Sequence, residues 1–203
     1  MTTIVWDGKY LAADSAVTWG DGEARIKTNT VSKLVHNPNR DAIINGSAVT
    51  WIVGTGNVSR ISVLTDMVLK SRGEIARLFG GRQIEKPSCA LYLLTEDNKL
   101  YELAYTASKG FYRGSVKLIE LLPKHVIAFG SGSNHMQTAR LFNLADARDV
   151  ALLITHIDQG SGGPIHFTTV TATHYRKTST FTAKGKAVAL ASVKCTFKIT
   201  EAI

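Results

Sequence analysis

The sequence of 203 residues has little that points to secretion or to a membrane. It contains two cysteines, Cys89 and Cys195, which lack the spacing of metal ligands and suit a reducing cytoplasm. It has no run of about 18 apolar residues, so we predict no membrane span. The beginning of the chain lacks a basic segment followed by an apolar one, so we expect no signal peptide and a cytoplasmic location.

Motifs for metals, cofactors and nucleic acids are also missing. The six histidines, among them His125, His135 and His166, define no metal site, so we predict neither a metal nor a cofactor. The net charge of +8 would suit a nucleic-acid partner, but the basic residues cluster only in the last third of the chain. Because no zinc-finger or ribonucleoprotein motif is present, we interpret the charge as a solvated surface or a contact with an acidic neighbour.

What the sequence does have is a threonine directly after the initiator methionine. Removal of Met1 would leave Thr2 with a hydroxyl nucleophile and an α-amine on the same residue. An α-amine has an ordinary pKa of about 7.7–8.0, so it can accept the hydroxyl proton near neutral pH. A chain that begins with Met-Thr is also common, so this pattern alone leaves an ordinary terminus as the alternative.

The spacing of the first strands brings Thr2 towards an acidic residue. Residues 3–6 and 10–13 are β-branched, aromatic and apolar runs, and the Asp7-Gly8 dipeptide between them is a hairpin turn signal. The second run ends at Asp14. We therefore predict that Thr2 and Asp14 meet on paired neighbouring strands.

The rest of the chain alternates between blocks of strands and pairs of helices. We predict strands over residues 31–36, 41–45, 89–94, 100–105, 116–122, 126–129 and 165–173. We predict helices from the Asn57 cap to about Gly73, over residues 74–78, from Ser131 to Leu144, and from the Asp146 cap to the glycine-rich residues 160–164. This order predicts a single-domain α+β fold with two antiparallel sheets stacked face to face and a helix pair on each outer side.

Five motifs in this order and spacing resemble the proteasome β-subunit family, and the bacterial HslV-type peptidases in particular. They are Thr2-Thr3-Ile4-Val5, Leu11-Ala12-Ala13-Asp14-Ser15 with Thr18, Ser32-Lys33-Leu34, Asn45-Gly46, and Gly130-Ser131-Gly132-Ser133. The resemblance implies the four-layer αββα sandwich of the N-terminal nucleophile hydrolases. It extends to about Thr173, and the residues from His174 onward form an extension that is atypical of the family.

The resemblance also implies roles for individual residues. Thr2 matches the nucleophile, Asp14 the acidic residue of the second strand, and Lys33 the buried lysine beside the nucleophile. A lysine ammonium near the terminal amine would lower the pKa of that amine, and Asp14 would balance the lysine charge. Gly46 matches the glycine whose N–H group lies in the oxyanion hole, and Ser131 matches a serine that hydrogen-bonds the catalytic group.

Substrate binding is implied in the same way. Thr18 and Gly46 would pair with an extended peptide, and Asn45 would help to form the floor of the pocket for the side chain before the scissile bond. Taken without the resemblance, Asp14 and Gly46 could be turn residues, Lys33 an exposed strand lysine, and the glycines around Ser131 a helix N-terminus.

The sequence departs from the family pattern at three places. Ala16 replaces a usual arginine, and the turn over residues 161–164 has glycine where many members carry an aspartate, with Asp158 the nearest carboxylate. Residues 47–53 resemble an insertion before the first helix.

The resemblance predicts a threonine endopeptidase that cleaves peptides and unfolded proteins. It also implies stacked homo-oligomeric rings and an ATP-dependent unfoldase as a partner. The alternatives are a catalytically inactive proteasome-like scaffold that retains Met1, and an enzyme of the same chemistry that cleaves an amide in a small molecule.

Overall fold

The computed structural model describes residues 2–19, 26–28, 32–79, 84–85, 89–107, 113–122, 125–158, 161–169 and 179–181. Within these ranges the strands are β1 (Thr3–Trp6), β2 (Tyr10–Asp14), β3 (Val17–Trp19), β4 (Ile26–Thr28), β5 (Val35–His36), β6 (Ala42–Ile44), β7 (Ser47–Gly56), β8 (Gly73–Glu74), β9 (Ile84–Glu85), β10 (Cys89–Thr95), β11 (Leu100–Ala107), β12 (Arg113–Leu121), β13 (Ile127–Gly130), β14 (Ile165–Thr169) and β15 (Ser179–Phe181). The helices are α1 (Val58–Leu69), α2 (Ile75–Phe79), α3 (Met136–Leu141) and α4 (Ala147–Ile157), with a 3-10 helix over Ser131–His135.

The strands form two large sheets and one small ribbon. The first sheet has the order β13-β1-β2-β14-β15. The second sheet has the order β8-β6-β7-β10-β11-β12-β9, and β5 also pairs with β7. Strands β3 and β4 form the ribbon, and among the described pairs only β6 and β8 run parallel. The predicted pair of antiparallel sheets is therefore confirmed, with one parallel edge contact.

Alternate residues of the strands pack into different layers. Ile4 and Trp6 of β1 lie in a core between the two sheets, together with Val53 of β7 and Leu94 of β10. Val5, between them in the sequence, packs on the other face of the first sheet against α3 and α4. A third core joins the outer face of the second sheet to α1 and α2. Because successive strand residues point to opposite faces, this alternation produces the αββα order of layers.

The predicted helix caps are confirmed, whereas two helix ends come earlier than expected. The side chain of Asn57 accepts from the N–H group of Arg60 at the start of α1, and Asp146 accepts from Arg148 at the start of α4. Helix α1 ends at Leu69 rather than near Gly73, and α3 ends at Leu141 rather than at Leu144. None of the helices in the described part of the chain is long and apolar enough to cross a membrane.

Two strand predictions need correction. Of the strand predicted over residues 31–36, only Val35–His36 is a strand, and Val31 lies outside the described residues. Residues 47–53, interpreted as an insertion, instead form the first part of the ten-residue strand β7. Most of β7 is buried because α1 covers one of its faces and the first sheet covers the other.

The hairpin of β1 and β2 forms as predicted and sets the geometry at the start of the chain. Asp7 accepts from the N–H groups of Lys9 and Tyr10 in the turn, and Gly8 has φ +89°. The register pairs Ile4 with Ala13, so the residue beside Asp14 is Thr3 and not Thr2 as predicted. Strand β1 is hydrogen-bonded on both sides, because β13 pairs with its other edge. The extension from His174 stays a prediction, since only residues 179–181 of it are described.

Candidate active site

The buried carboxylate of Asp14 organises one half of the candidate site. Its Oδ1 atom accepts from the N–H group of Thr3 at 2.8 Å and from the ammonium of Lys33 at 2.7 Å. Its Oδ2 atom accepts from the N–H groups of Ala16 and Gly162, both at 3.2 Å. A fully buried carboxylate needs such partners, since its charge is costly to remove from water.

Lys33 lies in this half of the site as the sequence predicts. Its side chain is 10% exposed and forms the ion pair with Asp14. Because Thr3 and Lys33 donate to the same carboxylate oxygen, the Lys33 ammonium lies well within a nanometre of Thr2. The structure thus brings Thr2, Asp14 and Lys33 together. Lys33 is not the exposed strand lysine that was the alternative interpretation.

Ser131 lies on the other side of Thr2, between two glycines that the site requires. The Ser131 N–H group donates to the Thr2 carbonyl oxygen at 3.0 Å. Gly130 has φ +75°, and a Cβ atom on it would collide with that carbonyl oxygen. A Cβ atom on Gly132 would lie 2.6 Å from Cγ2 of Thr3. The glycines therefore let this backbone approach β1 closely. A helix N-terminus, the alternative interpretation of these glycines, would not require such an approach.

A second carboxylate, Asp158, completes the other half of the site, which contains Ser131, and no role was predicted for it. Asp158, at the C-terminal end of α4, accepts from the hydroxyls of Ser131 and Ser161, both at 2.6 Å through Oδ2. Ser161 also contacts the Thr3 hydroxyl at 2.5 Å. The sequence signal that could have predicted this contact is the spacing of three residues between Asp158 and Ser161. These residues form a turn in which the Ser161 N–H group donates to the Asp158 carbonyl oxygen at 3.1 Å.

Asn45 and Gly46 are not brought to this site. They form the turn between β6 and β7, and both of their N–H groups donate to the carboxylate of Glu74 at 3.2 Å. Strand β7 runs from Ser47 beside this turn to Gly56 at its other end. Nine residue steps of a strand span about 30 Å, so the turn lies far from that end.

The far end of β7 is the end that lies beside Thr2. Cγ2 of Thr55 is 3.1 Å from the position that a Cβ atom on Gly130 would occupy, and Gly130 adjoins Thr2. Gly56 follows with φ +102°, and α1 begins two residues later. The N-terminal end of α1, which carries the positive end of the helix dipole, therefore belongs to this region.

Aromatic packing between the sheets supports the same end of β7. The Tyr92 ring stacks on Phe129 with centroids 4.3 Å apart, and Thr55 hydrogen-bonds the Tyr92 side chain. Burial raises the pKa of Tyr92, and the nearby charge of Glu102 raises it further, while the Thr55 hydrogen bond lowers it in part. The phenol is therefore a neutral packing group near the site.

Thr18 lies in β3 opposite Lys27 of β4, four residues after Asp14. Among the described residues, no group of three or more His, Cys, Asp or Glu side chains could hold a metal ion.

The layers and the site define the class: the chain has the proteasome-like fold of the N-terminal nucleophile hydrolases. No protein-family model matches the sequence, and neither does any curated protein. The structure of Thiobacillus denitrificans BPH in complex with epoxomicin is 18% identical, covers 84% of this chain and 99% of that chain, and gives a TM-score of 0.50. A structure of Thiobacillus denitrificans BPH (17% identity, 84% and 98% covered) and one of eukaryotic HslV from Trypanosoma brucei (18%, 83% and 98%) each give 0.48. The fold that the motifs predict by resemblance is thus confirmed.

Proposed function

We propose that this chain is a threonine-type endopeptidase subunit of a self-compartmentalising protease, with Thr2 as the nucleophile after removal of Met1. The observation that carries the proposal is the contact of Thr3 and Lys33 with a single oxygen of Asp14. This contact holds a cation beside the residue that would begin the processed chain. An ordinary N-terminal strand has no need of a buried ion pair there, because such pairs are weak contributors to stability.

The terminal amine of Thr2 would act as the base. Lys33 is already positive, so its charge disfavours a second positive charge on the nearby amine and keeps that amine able to accept a proton. Asp14 offsets the charge of Lys33 inside the protein. The amine would take the proton of the Thr2 hydroxyl, directly or through a water molecule, as the oxygen attacks a peptide carbonyl.

Ser131 would orient this amine. Asp158 accepts from the Ser131 hydroxyl, so the single proton of that hydroxyl is directed towards the carboxylate. The lone pairs of the Ser131 oxygen then remain to accept from the amine of Thr2. The carbonyl of Thr2 is held at the same time by the Ser131 N–H group.

The junction of β7 and α1 would stabilise the oxyanion in place of Gly46. Gly56 there has a left-handed backbone, and the adjoining Thr55 side chain lies against Gly130. A backbone N–H group at Gly56, backed by the N-terminus of the 12-residue helix α1, suits a developing negative charge.

The reaction would run in two steps. The Thr2 oxygen bonds to the carbonyl carbon, the C–N bond of the substrate breaks, and the amine returns its proton to the leaving nitrogen. A water molecule, deprotonated by the Thr2 amine, then attacks the ester; the C–O bond to Thr2 breaks, and the amine returns the proton to the Thr2 oxygen. The substrate would be an extended peptide paired along the backbone of β3 near Thr18. The resemblance of the motifs supports stacked homo-oligomeric rings and an ATP-dependent unfoldase partner.

Intact-mass measurement of the freshly purified full chain tests the proposal. We expect the mass without Met1, and a further increase after incubation with epoxomicin, the compound in the Thiobacillus denitrificans BPH complex. Peptide mapping should assign the adduct to Thr2, and Thr2→Ala should lose it together with peptide hydrolysis. A homogeneous species that retains Met1 and hydrolyses no peptide would overturn the proposal in favour of an inactive scaffold.

A further inference from the structure

We propose that Thr3, the residue after the proposed nucleophile, is a positioning residue that joins the two halves of the site. This inference rests on the proposed function of Thr2. Thr3 is fully buried, so its own hydroxyl is not a candidate nucleophile. Its backbone N–H group contacts Asp14 directly, and its hydroxyl is linked to Asp158 through Ser161.

The backbone of Thr3 contacts the first half. Its N–H group donates to Oδ1 of Asp14 at 2.8 Å, the oxygen that also accepts from Lys33. This bond fixes the peptide unit that links Thr2 to Thr3, because the nitrogen belongs to that planar unit. The carbonyl of the same unit accepts from the Ser131 N–H group at 3.0 Å.

The side chain of Thr3 contacts the second half, and the direction of its hydrogen bond follows from counting protons. Ser161 has one hydroxyl proton and donates it to Asp158 at 2.6 Å. The contact of 2.5 Å between Thr3 and Ser161 therefore has Thr3 as the donor. The chain of bonds runs from the Thr3 hydroxyl to Ser161 and then to Asp158, which also accepts from Ser131.

Packing leaves the Thr3 side chain little freedom to rotate. A Cβ atom on Gly132 would collide with Oγ1 of Thr3 and would lie 2.6 Å from its Cγ2 atom and 3.0 Å from Cγ2 of Ile154, so the Thr3 side chain packs directly on the Gly132 backbone. A β-branched side chain has few χ1 rotamers, and in the one adopted here the hydroxyl contacts Ser161. Valine has the same shape without the donor, and serine has the donor without the methyl group.

The two variants separate the hydroxyl from the shape. Without a donor from Thr3, Ser161 can turn from Asp158, and the Asp158–Ser131 contact that orients the terminal amine is loosened. Misplacement of a reacting group by about 1 Å can cost on the order of 100-fold in rate, so we expect Thr3→Val to lower kcat at least about tenfold. KM should change less than about twofold, because Thr3 is fully buried and so does not face a bound peptide.

The experiment uses the full chain and compares Thr3→Val, Thr3→Ser and Thr50→Val. Thr50 also donates its hydroxyl, to the carbonyl of Leu94 in the second sheet, so Thr50→Val is a matched loss of a donor away from the site. Peptide hydrolysis and the rate of epoxomicin labelling are measured for each. The unfolding constants of Thr3→Val, Ser161→Ala and the double variant form a double-mutant cycle that needs no activity.

The expected result is a low kcat for Thr3→Val, a near-normal kcat for Thr3→Ser and Thr50→Val, and a coupling of about fivefold in the unfolding constant, as one hydrogen bond predicts. An unchanged kcat in Thr3→Val, with wild-type hydrolysis intact, would overturn the positioning role and leave the proposed function standing. An inactive wild type would refute the proposed function, and a coupling below about 1.5-fold would then also refute the Thr3–Ser161 link.

Discussion

The hydroxyl of Ser131 lies 2.6 Å from Oδ2 of Asp158, and the same oxygen accepts from Ser161 at 2.6 Å. One carboxylate at the end of α4 therefore orders two hydroxyls that come from different segments. Asp158 is 9% exposed, so water competes little for these bonds. The arrangement makes Asp158 a residue on which both the stability and the chemistry of the site depend.

Asp158→Asn tests that dependence. The amide can still accept from both hydroxyls through its one oxygen, but it carries no negative charge, so both hydrogen bonds lose their charge assistance. We expect kcat to fall by about tenfold or more and the free energy of unfolding to drop by about 1–3 kcal/mol. Kinetics on a peptide substrate and urea denaturation provide the two values. Asp66→Asn, which removes an exposed carboxylate paired with Lys70, is the control and should change neither.

The ion pair of Asp14 and Lys33 allows its structural and chemical roles to be separated. Lys33→Met leaves a buried carboxylate without its cation, so we expect a loss of about 3–5 kcal/mol in the free energy of unfolding. The double variant Asp14→Asn with Lys33→Met removes both charges and should regain much of that stability. Denaturation curves of the wild type, Lys33→Met and the double variant measure both changes in the free energy of unfolding.

Activity should not follow stability in this series. The double variant folds but lacks the cation beside the Thr2 amine, so we expect no peptide hydrolysis from it. Hydrolysis at a rate near that of the wild type in a well-folded double variant would show that Lys33 has only a structural role.

Two glycine substitutions distinguish the turn at Gly46 from the junction at Gly56. Gly46 has φ +83° and open space around it, so Gly46→Ala should cost about 1 kcal/mol of stability through backbone strain. Its kcat should stay unchanged. Gly56 also has a positive φ, of +102°, so Gly56→Ala should cost a comparable amount of stability. Because Gly56 lies beside the site, this variant should also lower kcat strongly. A large loss of kcat in Gly46→Ala alone would contradict this assignment.

We expect His166 to make the stability of the protein depend on pH. It is half-buried on β14, its Nδ1 atom has no hydrogen-bond partner among the described residues, and burial lowers its pKa from the ordinary value of 6.5. The unfolded chain therefore binds a proton at a higher pH than the folded chain does. Stability should be complete above about pH 6.5 and should fall as the pH drops from there towards the lower folded pKa.

Urea denaturation at several pH values on both sides of 6.5 measures this effect. His166→Gln removes the titrating group, so its stability should vary less with pH over the same window. Equal slopes for the wild type and the variant would exclude His166 as the source.

Local signals in the sequence were sufficient for much of the fold and for one half of the site. The Asp7-Gly8 turn predicted the hairpin, and the hairpin register brings Asp14 beside Thr3. The caps Asn57 and Asp146 predicted two helix starts because each side chain bonds an N–H group within its own first turn. These features depend on residues close together in the chain.

The rest of the site depends on how far strands extend, which the local pattern does not specify. Gly46 resembled an oxyanion glycine because it follows a strand, but β7 continues for ten residues beyond it. Gly56, at the end of β7, had no local mark that distinguished it. Asp158 could be named as the nearest carboxylate but not given a role, because its partner Ser131 lies 27 residues away in the sequence.

The pairing of β1 on both of its edges has a practical consequence for recombinant work. Its place in the sheet is secured by β2 and β13, whatever precedes Thr2 in the polypeptide. An affinity tag fused ahead of Thr2 should therefore give a well-folded preparation in which the proposed amine is capped as an amide. Purification handles belong at the carboxyl end, or on a leader whose cleavage leaves no scar before Thr2.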